Sequence, residues 1–174
     1  LLEGQVALVT GAGSGIGRAT AQAFAREGAS LMLTDVSETG LRDSAESVSG
    51  FGVRVEICRL DVTDEDSVAR MVQSTESAFG RLDCAFNCAG IAPAAVGTGG
   101  MRVGEIDRDA WSKIVDVNLK GVWHCMKYQL RLMERQGTGS IVNASSVGGL
   151  VGLPGSHAYV ASKHGVMGLT RAAA

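Results

Sequence analysis

Proline is nearly absent from the chain, with 2 in 174 residues. Helices and strands can therefore run without the breaks that a missing backbone N–H imposes. Aromatic residues make up only 5%, so the core has to be built from small and branched aliphatic side chains. Neither sign of charge dominates: 16 Lys and Arg stand against 18 Asp and Glu, for a formal net charge of −2. That balance leaves no basic footprint for a nucleic acid and no polybasic patch for a membrane surface. No apolar run approaches the roughly 20 residues needed to span a bilayer. The cysteines, Cys58, Cys84, Cys88 and Cys125, form no C-x-x-C pair, and His124, His157 and His164 have no metal-ligand spacing. Reduced thiols and no metal are expected. No secretory leader pattern precedes the first apolar run, so a cytoplasmic location is expected as well.

What is abundant is glycine, 24 residues, about twice average usage. Outside a repeat, that much glycine marks loops where backbone must approach something closely. Between the glycines, short apolar runs alternate with longer amphipathic stretches. Val6–Val9, Leu31–Thr34, Val53–Leu60, Leu82–Phe86 and Ser140–Ala144 read as strands. Gly15–Glu27, Glu38–Val48 and Asp64–Phe79 read as helices, with Thr63 the expected N-cap of the third. Val115, Leu119, Val122, Met126, Leu130 and Met133 recur at steps of three and four, which predicts one long helix from about Arg108 to Arg135. A last helix begins near Ala158. Strands that are apolar on both faces and separated by helices call for a parallel sheet covered on both sides, a doubly wound α/β fold within one domain over 1–174. Ligands in such folds bind beyond the carboxyl ends of the strands. The segments beginning at Thr10, Asp35, Asp61, Asn87 and Ser145 are therefore where function should lie.

Thr10-Gly-Ala-Gly-Ser-Gly-Ile-Gly17 follows the first strand and opens directly into a helix. Gly11, Gly15 and Gly17 let backbone amides face an anion, with Ser14 and Ile16 carried in the same turn, and the helix N-terminus adds partial positive charge. A pyrophosphate is the natural guest. Asp35 ends the second strand, where a carboxylate accepts hydrogen bonds from an adenine-ribose diol and repels a 2′-phosphate. It could equally cap the next helix. Ser14 and Val36 are not basic, and Arg18 sits on the helix side of the loop, so NAD(H) is expected over NADP(H). Asp61, followed by Val62, could pair with an adenine amino group or act as a cap. Asn87, Ala89 and Gly90 follow the fourth strand and suit either close approach to a cofactor or a plain turn. Tyr159 and Lys163 stand four apart, on one helix face, where an ammonium favours a phenolate and makes the tyrosine a usable acid or base. Ser145 and Ser146 follow the fifth strand as hydroxyl donors or turn residues. Asn118 lies mid-helix, a position asparagine does not favour unless it is exposed.

Taken in order, T-G-x-x-x-G-x-G at 10–17, N-x-A-G at 87–90, Asn118, Ser146 and Y-x-x-x-K at 159–163 resemble the short-chain dehydrogenase/reductase family over the whole chain. The resemblance implies a Rossmann-like fold and a catalytic set. Tyr159 would exchange a proton with an alcohol or carbonyl oxygen. Lys163 would support Tyr159 and hold the nicotinamide ribose, Ser146 would orient the substrate oxygen, and Asn118 would support a water in a proton relay. Ser146 is preferred to Ser145 because it stands 13 residues before Tyr159, as the family's serine does. Two departures are visible: Cys88 replaces the second Asn of the usual N-N-A-G, and two further strands with a substrate-covering segment are missing after the last helix. An incomplete C-terminal part is therefore expected.

Two functions follow. One is an NAD-dependent oxidoreductase interconverting a secondary alcohol and a ketone. The other is a dinucleotide-binding remnant without turnover that acts through a partner. The apolar stretch from Val147 to Pro154 points to a small hydrophobic alcohol or ketone as substrate. The Gly-rich stretch from Ile91 to Gly104 is placed to overhang the site. The resemblance also implies a homo-oligomer.

Overall fold

β1 (Val6–Thr10), β2 (Ser30–Asp35), β3 (Val55–Arg59), β4 (Cys84–Asn87) and β5 (Ser140–Asn143) form one sheet in the computed structural model, which describes all 174 residues. Every pairing is parallel and the strand order is β3-β2-β1-β4-β5. The helices are α1 (Gly15–Arg26), α2 (Glu38–Val48), α3 (Glu65–Phe79), α4 (Arg108–Val115), α5 (Gly121–Gln136) and α6 (His157–Ala172). This is the doubly wound, Rossmann-like architecture. The side-chain period of two along each strand divides the core. Ala7 and Val9 of β1, with Leu31 and Leu33 of β2, pack on Ala21 and Ala25 of α1 and on Leu41 and Val48 of α2. Leu8 and Met32 face the other way, against Val68, Met71 and Val72 of α3 and Cys125, Leu132 and Met133 of α5. The alanines of α1 stand where a larger side chain would hold the helix off the sheet.

Three local expectations need correction. The stretch from Arg108 to Arg135 is not one regular helix, because a π-turn over Asp116–Lys120 joins α4 to α5. A π-turn fits an extra residue into the helix, and here it carries Asn118, fully buried and bonded to the backbone of Ile91. The apolar spacing survives the insertion, so periodicity alone gives no sign of it. The N-cap of α3 is Asp64 rather than Thr63: its carboxylate accepts from Ser67 N at 3.2 Å, while the Thr63 hydroxyl donates to Asp61. β4 begins at Cys84 rather than Leu82, because the side chain of Gln136 takes both the backbone N–H and the carbonyl of Leu82.

Where the chain reverses its winding, β1 and β4 lie side by side and a crevice opens beyond Thr10 and Asn87. A buried amide network braces its far wall. Asn87 and Gln129 exchange two hydrogen bonds at 2.9 Å, and Asn87 Nδ2 also donates to Asn143 Oδ1 at 2.9 Å. Asn143 in turn donates to Thr170 Oγ1 on α6 at 3.0 Å. Asn87 and Gln129 are almost wholly shielded from water, so a lost partner cannot be replaced by solvent. Gln129→Leu should lower the unfolding free energy by about 2 kcal/mol with an unchanged denaturant slope in urea titrations. A loss below about 0.5 kcal/mol would mean that the network contributes nothing beyond packing.

Candidate active site

Thr10 ties the two turns of the crevice together. Its buried hydroxyl accepts from Cys88 N and Ala89 N, each at 3.1 Å. Gly11 allows the approach: a Cβ there would lie 2.9 Å from Ala89 Cα. A Cβ on Gly17 would lie 2.1 Å from the Gly11 carbonyl oxygen, so α1 also packs backbone to backbone. Gly15 has φ +50° and begins α1 in a left-handed conformation that favours glycine. Ser14 is the N-cap by backbone position, yet no side chain caps the helix. The amides and partial positive charge of that helix end are therefore directed to the crevice.

The crevice is a cleft of about 580 Å³. Gly11, Ser14, Gly15, Ile16 and Gly17 line one side, Asp35, Asp61 and Val62 the next, and Ala89 and Gly90 the third. Asp35 accepts from Gly13 N at 3.0 Å through one oxygen and from Ser37 N at 2.9 Å through the other. Ser37, not Asp35, caps α2. Asp61 takes both the amide and the hydroxyl of Thr63 on one oxygen. Asn87 does not line the cleft; its side-chain amide is spent on the network with Gln129 and Asn143. Sequence reasoning missed Thr34, Val36, Leu60, Cys88, Ile91, Lys113 and Val117, which complete the lining. Cys88 stood inside a motif as an oddity, whereas Lys113 and Val117 come from a helix distant in sequence.

The second group of residues adjoins the cleft through Gly90. A Cβ at that position would lie 3.2 Å from Asn118 Oδ1 and 3.7 Å from Lys163 Nζ. Asn118 is not a surface residue. Its amide accepts from Ile91 N at 2.7 Å and donates to Ile91 O at 2.9 Å, which anchors the start of the loop after β4. Lys163 is buried and donates to the Ala144 carbonyl at 2.7 Å, with Nζ 5.7 Å from the Tyr159 ring centre. Burial pushes its pKa down, partly opposed by the neighbouring Cys88 sulfur. The Ser145 hydroxyl donates to the Lys163 carbonyl of α6. The Ser146 hydroxyl instead caps Gly148 N at 3.1 Å. A Cβ on Gly148 would meet both Ser146 Oγ, at 3.6 Å, and Tyr159 Cε1, at 3.5 Å, so these two side chains border one small space. The loop over 91–104 reaches the same region, where Gly100 N donates to Gly155 O at 3.0 Å.

A nicotinamide dinucleotide suits this donor set on three counts. An uncapped helix end awaits an anion, a glycine cradle keeps side chains out of the turn, and a carboxylate ends β2. Beside them Thr34, also in the lining, carries the one buried side-chain polar atom that has no hydrogen-bond partner. No cluster of His, Cys, Asp and Glu is placed to hold a metal ion, and no helix is long and apolar enough to cross a membrane.

Because its folded pKa is depressed, Lys163 binds its proton less well in the folded than in the unfolded state. Stability from this group therefore rises with pH between the depressed value and the ordinary lysine value. The parent chain should gain stability relative to Lys163→Met as the pH is raised from neutral into that alkaline window. Parallel melting curves for the two proteins across the range would show that the ammonium is not desolvated.

The short chain dehydrogenase family model matches residues 5–174. Levodione reductase of Leifsonia aquatica is 43% identical over 169 residues, which cover 96% of this chain and 61% of that protein. Cis-4-hydroxycyclohexanecarboxylate dehydrogenase of Sinomonas cyclohexanicum is 45% identical over 171 residues, 98% of this chain and 66% of the relative. Among solved structures, NAD+-bound xylitol dehydrogenase superposes with a TM-score of 0.94 at 36% identity, over 99% of this chain and 65% of that one. The chain thus spans less than two thirds of the length of each of these relatives. It belongs to the short-chain dehydrogenase family.

Proposed function

We propose that this short-chain dehydrogenase chain binds NAD(H) in preference to NADP(H) and interconverts a secondary alcohol and a ketone. The observation that carries the reading is the junction at Gly90. One glycine there separates the cleft at the start of α1 from Asn118 and Lys163, and Lys163 leads on to Tyr159 and Ser146. Gly11, Ser14, Gly15, Ile16 and Gly17 would hold the diphosphate, Asp35 the adenine ribose, and Asp61, Val62, Ala89 and Gly90 the remaining walls. The bound cofactor supplies or accepts the hydride.

The protein's own part is the proton. Ser146 donates a hydrogen bond to the substrate oxygen and holds it beside Tyr159. Tyr159 takes the alcohol proton in oxidation and returns it in reduction. The Lys163 ammonium stabilises negative charge on the phenolic oxygen, more strongly for being shielded from water, and also holds the nicotinamide ribose. Asn118, with its amide committed to Ile91, keeps the loop after β4 against α6. Any support it lends to a relay water comes from groups other than that amide. Val147, Leu150 and Val151 follow Ser146 as exposed apolar residues, which supports a small hydrophobic substrate. The names of levodione reductase and the hydroxycyclohexanecarboxylate dehydrogenase point to cyclic ketones and alcohols. A cytoplasmic homo-oligomer belongs to the same reading.

Tyr159→Phe tests it, since it removes the oxygen and keeps the ring. Reduction of cyclic ketones is followed through NADH absorbance, with the 174-residue chain and with a form extended by the C-terminal third of a relative. The active form should lose roughly 100- to 10,000-fold in kcat with little change in NADH affinity. Retention of more than about a tenth of the activity would remove Tyr159 from the chemistry. Binding of NADH without turnover in either form would favour the non-catalytic remnant.

A further inference from the structure

Gly13 lies inside the glycine turn yet outside the T-G-x-x-x-G-x-G pattern, and Gly40 opens α2 in no motif at all. The structure nevertheless packs them against each other. A Cβ on Gly40 would lie 2.7 Å from the Gly13 carbonyl oxygen, and a Cβ on Gly13 would lie 2.8 Å from Asp35 Cγ. Arg18, one turn into α1, reaches back into this contact. Its Nη2 donates to Gly13 O at 2.5 Å and to Gly40 O at 3.3 Å, and its Nε donates to Ser44 Oγ at 2.8 Å. Ser44 is fully buried and donates to Ala12 O at 2.7 Å. The carbonyls of Ala12 and Gly13 are thereby both held on the α2 side of the turn. The Ala12–Gly13 peptide is held at its other end as well, since the Gly13 N–H goes to Asp35.

We infer that Arg18 is a positioning residue for the dinucleotide, acting with Ser44 to hold the glycine turn's carbonyls away from the cleft and Asp35 in register with it. The inference rests on the reading of that cleft as the NAD(H) site. A diphosphate at the N-terminus of α1 is attracted by amides and repelled by carbonyl oxygens. A free turn samples both orientations, and the affinity for the ligand falls by the fraction of time spent in the wrong one. A planar guanidinium with several donors in fixed directions holds Gly13 O and Ser44 Oγ together, whereas an ammonium is a point charge that cannot span them in the same way. The guanidinium is committed besides to α2, where Asp43 lies 3.6 Å away, so it does not stand free to greet a 2′-phosphate.

NADH fluorescence and ADP-ribose calorimetry on the unmutated chain, Arg18→Met, Arg18→Lys, Ser44→Ala and the Arg18→Met/Ser44→Ala double variant test this, at a temperature where circular dichroism shows each folded. Arg18→Met should weaken NADH and ADP-ribose by the same factor, about 10- to 100-fold, with Arg18→Lys in between. Ser44→Ala should cost about 3- to 10-fold, and the double variant should be no more than about twofold worse than Arg18→Met, because the two residues act on one turn. Where Arg18→Met does not fold, Ser44→Ala and Arg18→Lys carry the same comparison. Affinities within about twofold of the parent in the folded variants, or losses that multiply in the double variant, overturn the role of Arg18. Failure of the unmutated chain to bind either ligand overturns the dinucleotide reading itself, and the inference with it.

Discussion

The close approach of the turn after β1 to the turn after β4 is the contact on which the rest of the site depends. One hydroxyl, that of Thr10, accepts from two successive amides of the opposing turn. One missing side chain, at Gly11, leaves room for Ala89 to come within the distance a Cβ would occupy. With these two turns in contact, the end of α1 and the segment 88–91 become facing walls of a single cleft. Gly90 then lies directly on Asn118 and Lys163. A bulkier residue at either glycine would part the cleft from Asn118 and Lys163 beyond it.

The groups beyond Gly90 are held by polar contacts in places shielded from water, which makes them both exact in position and costly. Asn118 spends its whole amide on the backbone of Ile91 and on Ser162. Lys163 is desolvated, and a backbone carbonyl is its hydrogen-bond partner. The amide network through Asn87, Gln129 and Asn143 fixes the ends of β4 and β5, and the Ala144 amide donates to the Asn87 carbonyl at 2.9 Å. The carbonyl that holds Lys163 therefore belongs to a residue locked to β4. Burying an ammonium against one neutral acceptor disfavours its charge. A site shaped by packing alone would have placed an apolar residue there.

The fold was legible because its signals are local. Alternating runs of strand and helix define a parallel sheet, and the ends of the strands define where to look. The glycine turn was legible for the same reason: its glycines, its helix and Asp35 follow one another closely. Less was readable where contacts join distant segments without a pattern. The π-turn at Asp116–Lys120 preserves the apolar spacing of the helices around it, so only the burial of Asn118 betrays it. Asn87, by its place at a strand end, suits either approach to a cofactor or a plain turn, and nothing nearby in sequence points to its partner Gln129, 42 residues away on α5. Gly13 and Gly40 left no trace in a motif because their contact is between two backbones. The roles proposed for Tyr159 and Ser146 come from family resemblance, and the shared space at Gly148 is geometry that spacing alone could not supply.

We propose that this cleft takes a dinucleotide whose adenine ribose carries a free 2′-hydroxyl. Parallel fluorescence titrations of the unmutated chain with NADH and NADPH address it most directly. The carboxylate at Asp35 predicts that NADH binds at least about tenfold more tightly, a difference of roughly 1.4 kcal/mol. Equal or tighter binding of NADPH would contradict the account.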